Sequence, residues 1–198
     1  LQIPFMPLFG DPRILLVLSD IACAFILYKM GGRSRKAEIL ALIYIFRPNS
    51  LFMIEQSWLT PLSFFFVLLT LQTKGIVSGI CAGVLSSIQP HYLLLVPIFS
   101  LLKKNGMKFI IVTFITLGVI VSPFIFWNYK DFYTDAIGFY LRSSKDMLSV
   151  PVYHSLNLNT PYALLLKADL SPFLLFGIFL SVYGFVFATL YRRNAKSL

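Results

Sequence analysis

Few residues in this sequence can do chemistry, and they stand apart from one another. Asp20 lies inside the apolar run RILLVLSDIACAFILYKM. A carboxylate among aliphatic side chains is costly unless paired or protonated. It therefore reads either as a functional acid or as an anchor hydrogen-bonded to a neighbouring helix. Glu55 and Gln56 sit beside Trp58 in a polar interlude between apolar runs. They read either as substrate-facing groups or as solvated residues at a lipid–water boundary, where Trp is common. His91 follows Pro90 in a tight turn. There an imidazole can contact a phosphate, move a proton near neutral pH, or simply close the turn. Arg142 and Lys145 bracket two serines. A guanidinium suits two-pronged phosphate contact, and an ammonium adds a point charge. The same pair would equally serve an ordinary anionic headgroup.

Other chemistries find no residues. His91 and His154 are too far apart for metal-ligand spacing, and no Cys cluster accompanies them. The sequence contains no phosphate-cradling glycine loop and no Ser-His-Asp arrangement. Cys23 and Cys81 both fall in apolar runs and read as packing residues, not as a disulfide framework. The net charge of +9 brings nucleic acid to mind. The basic residues, however, form short clusters between apolar runs rather than one solvated face, so no nucleic-acid partner is expected.

The elements that must position these residues are apolar. Of 198 residues, 58% are hydrophobic and 13% charged, about half the charge of an ordinary soluble domain. Mean hydropathy is +0.80. Where lipid is the solvent, each backbone must satisfy its own hydrogen bonds, and each apolar run becomes a helix. The expected fold is all-α: one polytopic transmembrane bundle over 1–198. Its seven spanning helices are expected at 13–30, 37–46, 59–73, 75–88, 92–102, 109–127 and 172–191. Asp11-Pro12 suits the start of the first, and Gly31-Gly32 its end. Pro48 kinks or breaks the second, which resumes over 51–54. Gly75, Gly79, Gly83 and Ser87 recur four apart, a small-residue stripe that lets a neighbouring helix approach closely. Phe132, Ala136 and Tyr140, with Tyr133, Ile137 and Leu141, fit an amphipathic helix lying in the headgroup plane.

Charge counting sets an orientation. With the turn at 31–36 inside and strict alternation after it, eleven basic residues fall inside and six outside. The positive-inside rule then expects an integral, multi-pass protein of the plasma membrane or endoplasmic reticulum, with a cytoplasmic C-terminus. A chain opening on Leu1 with no visible signal peptide is expected to begin partway through a larger protein.

Several short motifs recur in a recognisable order. FGDPR precedes the first helix, SD lies within it and RPN within the second. A Gln-containing turn precedes a Phe-rich helix. GIVSGICAGVLSSIQP, a proline in the next helix, and SPFIFWNYKDF after the sixth follow. In this order they resemble the GT-C superfamily of multispanning glycosyltransferases. The nearest type uses mannose, or a similar hexose, carried on a polyprenyl phosphate. The resemblance implies an external active site that transfers the sugar, with inversion, to an acceptor hydroxyl. With a carrier phosphate as the ligand, the residues read above for phosphate or substrate contact are Arg142 and Lys145, with His91 and Gln56 as further candidates. In that family an acid of the first external loop acts as general base or binds a metal, so a divalent metal is the one cofactor the resemblance leaves open. The matching acid is expected upstream of Leu1, in an N-terminal part that then counts as a partner. Glu55 and Asp20 are the candidates within this chain. The run Gln56-Ser57-Trp58-Leu59 lacks the Asp that often follows the Gln. Two other classes therefore stay open: a transporter or flippase using Asp20, and a non-catalytic relative that binds lipid.

Overall fold

The structure is a computed structural model that describes residues 10–11, 13–134 and 172–195. Every regular element among the described residues is helical. The chain divides into two compact units, Leu1–Ile120 and Val121–Leu198.

The first unit opens with α1 (Arg13–Met30). Asp11 caps it: Oδ1 accepts from the Arg13 backbone N–H at 2.8 Å. Gly32 and Arg33, at φ +69° and +56°, stop it, and the Arg33 N–H closes back on the Tyr28 carbonyl. Helix α2 (Arg35–Ile45) starts on a Ser34 cap whose hydroxyl accepts from the Ala37 N–H. Phe46-Arg47-Pro48 interrupts the chain before α3 (Asn49–Glu55), and the α2–α3 pair is bent by 47°. Proline has no N–H to give the preceding turn, which accounts for the break.

Helix α4 (Thr60–Gln72) has Pro61 in its first turn, and α5 (Gly75–Ile88) returns antiparallel beside it. A 3-10 turn (Pro90–Leu95) leads into the short α6 (Val96–Leu101). Helix α7 (Gly106–Trp127) follows, with the boundary between units falling inside it after Ile120. Cys23 and Ile26 of α1 pack on Leu68 of α4, with Tyr44 and Phe64 alongside. Ala82 and Leu85 of α5 pack with Val96, Phe99 and Phe109.

The middle of the small-residue stripe, Gly79 and Gly83, faces α7, whereas nothing lies within 4 Å of a Cβ at Gly75. A Cβ on Gly79 would lie 2.8 Å from Val112 Cβ, and one on Gly83 would lie 2.6 Å from Thr116 Cβ and 2.8 Å from the Thr113 carbonyl oxygen. Only glycine permits that approach. The C-terminal carbonyls of α4 are gathered by side chains from elsewhere. Lys103 Nζ donates to Thr70 O at 2.5 Å and Thr73 O at 2.9 Å, and the buried Ser78 hydroxyl donates to Thr70 O at 2.8 Å.

The second unit, described by itself, holds the end of α7, the five-residue α8 (Tyr129–Tyr133) and α9 (Pro172–Ala195). Asn128 caps α8 by accepting from the Asp131 N–H. The amphipathic helix expected after Phe132 falls largely outside the described residues.

The seven-span expectation is overturned. Among the described residues only α7, with mean hydropathy 2.5, is long and apolar enough to cross a membrane; the bent α2–α3 pair makes a second if counted as one span. The reason is length and charge. Helices α4 and α5 have 13 and 14 residues, about 20 Å of rise against a hydrocarbon core of about 30 Å. The stretch expected as one helix over 92–102 is split between the 3-10 turn and six residues of α6. Helix α1 is long enough at 18 residues but carries Arg13, Asp20 and Lys29. Alternating apolar runs and polar breaks describe all these helices; they do not make each one a crossing. Only 11% of the apolar window of α7 is buried, so α7 is not the core helix of this fold. Phe25, Leu40, Ile43, Ile115 and Val119 all point outward as well.

Candidate functional site

The site begins with Asp20, 5% exposed on the inner face of α1. Its two oxygens are shared among three donors from the α2–α3 bend. Oδ1 accepts from the Tyr44 hydroxyl at 2.7 Å and from Arg47 Nη2 at 3.1 Å. Oδ2 accepts from the Ser50 hydroxyl at 2.7 Å. Ser50 is itself buried. The Arg47 guanidinium also lies over the Tyr44 ring, 4.4 Å from its centroid. The other face of the network is Phe64 of α4, stacked on Tyr44 at 5.3 Å. A buried carboxylate needs this much: a countercharge, and hydrogen bonds to its remaining lone pairs.

The network's effect is mechanical. Tyr44 lies in the last turn of α2, Arg47 in the break and Ser50 in the first turn of α3, so one carboxylate pins both arms of the bend to α1. The bend in turn carries Glu55, the last residue of α3, and Gln56, both exposed. Ser57 at φ +55° turns the chain, and Trp58 sits edge-on to Phe52 at 5.7 Å. This exposed end of the bend, with Glu55 and Gln56, is the mouth of the site, and the Glu55 charge bears on Arg13. The Arg13 guanidinium is held charged first by its hydrogen bond to Asp11, Nε to Oδ2 at 2.9 Å, and further by the Glu55 carboxylate. Arg13 likewise keeps the Asp11 carboxyl below its ordinary range. A separate apolar groove of about 410 Å³ opens between α1, α4 and α5, with Leu18, Ser19, Ala22, Phe65 and Val84 in its walls.

His91 lies in the turn after α5, stacked on Tyr92 at 4.6 Å, and partial burial pushes its imidazole below the usual histidine range. Among the described residues no hydrogen bond or ion pair joins His91 to Glu55 or Asp20. Arg142 and Lys145 lie outside the described residues, as does His154. Among the described residues no group of three His, Cys, Asp or Glu side chains could hold a metal ion. The mouth fits a divalent cation poorly, since Arg13 already occupies the Asp11 carboxylate.

Tyr44, Arg47 and Ser50 were not singled out as partners of Asp20 by the sequence reading. A signal existed: Arg47 is the only basic residue in the apolar stretch 37–54. A buried acid in one helix needs a cation from another. The chain matches no protein-family model, no curated protein and no solved structure.

Proposed function

We propose that this chain is the membrane part of an inverting hexosyltransferase. It takes a hexose, mannose first among them, from a polyprenyl-phosphate carrier and transfers it to an acceptor hydroxyl on the non-cytoplasmic side. The observation that supports this reading best is the Asp20 anchor, which pins a bent helix pair ending in the exposed Glu55 and Gln56 to α1, the helix that also walls an apolar groove. The motif order described above adds to it.

In this reading an acid takes the proton from the acceptor hydroxyl, and within this chain Glu55 is the candidate for it, since Asp20 is already engaged. The acceptor oxygen attacks the anomeric carbon from the face opposite the phosphate. The bond from that carbon to the phosphate oxygen breaks, its electron pair leaves with the phosphate, and the configuration inverts. Gln56 has a side-chain amide free to contact sugar hydroxyls. The departing phosphate needs basic side chains to meet its charge, a role the sequence alone offers to Arg142 and Lys145. The apolar groove accepts the isoprenoid chain. Asp20 is a positioning residue, since its oxygens are already engaged by three donors.

The test is transfer by the full-length protein from polyprenyl-phosphate mannose and, separately, from a nucleotide-linked mannose. The reading expects product from the lipid donor only, with inverted anomeric configuration. No product from any polyprenyl-phosphate hexose would overturn it.

A further inference from the structure

At the far end of α4 from Glu55, a cleft of about 510 Å³ opens between residues 71–75 and 102–109. Its volume falls within the range of small-ligand sites, about 300–1,000 Å³. Four lysines line it, Lys74, Lys103, Lys104 and Lys108, and no acid does. Lys103 is committed to the α4 carbonyls. Lys74, Lys104 and Lys108 are exposed and form no ion pair among the described residues. Three uncompensated ammonium groups around one concavity repel one another until an anion enters. Apolar side chains line it as well: the buried Phe109 and the exposed Leu71 and Leu102. The flanks are apolar too: Ile76, Val77, Met107 and Ile111 stand exposed on the first turns of α5 and α7.

We propose that this cleft binds a phosphate group, and that the lipid headgroup of an anionic membrane is its source. The recognised chemistry, an anionic phosphate met by lysine point charges, is shared by lipid headgroups and free phosphate. The exposed apolar flanks favour the lipid, whose glycerol and acyl chain have somewhere to lie. The site is independent of hexosyl transfer. It lies at the other end of α4 and uses no residue of the Glu55 mouth.

The experiment is calorimetric titration of the full chain in neutral detergent. One arm adds phosphatidic acid in mixed micelles and the other adds inorganic phosphate, at low salt. Saturable binding of phosphatidic acid is expected. The triple variant K74Q/K104Q/K108Q should weaken it at least tenfold, while R33Q/R35Q/K36Q, the same charge loss outside the cleft, should leave it within twofold. Equal binding of inorganic phosphate would support the phosphate site and remove the lipid as its source. No saturable binding in either arm, or equal loss in both triple variants, would overturn the proposal. Helical circular dichroism checks each variant's fold. Should the cleft variant fail to fold, the single variant Lys104→Gln carries the test, with a several-fold loss expected.

Discussion

Arg47 Nη2 donates to Asp20 Oδ1 at 3.1 Å across 27 residues of sequence, joining the break in one helix pair to the middle of another helix. About a quarter of the Arg47 side chain reaches solvent, while the Asp20 side chain is 7% exposed. The pair is therefore closer to a buried ion pair than to a surface one. Its removal exposes the difference between a charge that is paired and a charge left alone.

Asp20→Ala should lower stability by about 2–3 kcal/mol. That is the cost of stranding one partner of a buried pair, reduced for the solvent reached by Arg47. Arg47→Ala should cost a similar amount. The double variant should cost less than the sum, because no charge is then left unpaired. Denaturant unfolding of the four proteins in detergent gives the coupling. Additive losses would mean that the two side chains do not interact.

Gly83 and Gly118 separate packing from helix propensity. Ala at 83 would press on Thr116 Cβ and the Thr113 carbonyl oxygen, whereas nothing lies within 4 Å of a Cβ at 118. Gly83→Ala should destabilise by about 1–3 kcal/mol, the usual cost of overpacking. Gly118→Ala should be neutral or stabilising by up to about 1 kcal/mol, since Ala is the better helix former. Thermal unfolding of both variants checks the ordering.

Lys103 supports the C-terminus of α4 from 30 residues or more away. Hydrogen bonds to a charged donor contribute about 1.5–3 kcal/mol when well shielded. With this side chain only partly buried, Lys103→Met should cost about 1 kcal/mol. Lys104→Met, in the same turn, should change stability by less than about 0.5 kcal/mol. Hydrogen exchange should show faster amide exchange near Thr73 in the first variant only.

These residues also mark what the sequence made legible. The Asp11 cap, the Gly31-Gly32 stop, the Pro48 break and the glycine stripe are local signals, each written within a few residues, and each recurs in the structure. The neighbour chosen by the stripe was not written there, since spacing says that a helix approaches but not which. The partners of Asp20 lie 24 to 30 residues away, beyond any periodicity in α1. Lys103 looked like one of a run of turn lysines, and only the fold shows that it reaches back to Thr70. The number of spans is not legible in the sequence for a related reason. Hydrophobic composition reports burial or lipid contact in general, while a crossing also requires unbroken length.

The central claim concerns Glu55, the acid that the Asp20 anchor holds at the mouth. Its direct measurement is the single-turnover rate of hexose transfer from polyprenyl-phosphate mannose by the full-length protein and its Glu55→Gln and Glu55→Asp variants. General-base catalysis contributes about 10²–10⁴-fold. The account expects a loss of that size for Glu55→Gln, partial recovery for Glu55→Asp, and unchanged helical content in both. A Glu55→Gln protein that transfers hexose at the unaltered rate would contradict it.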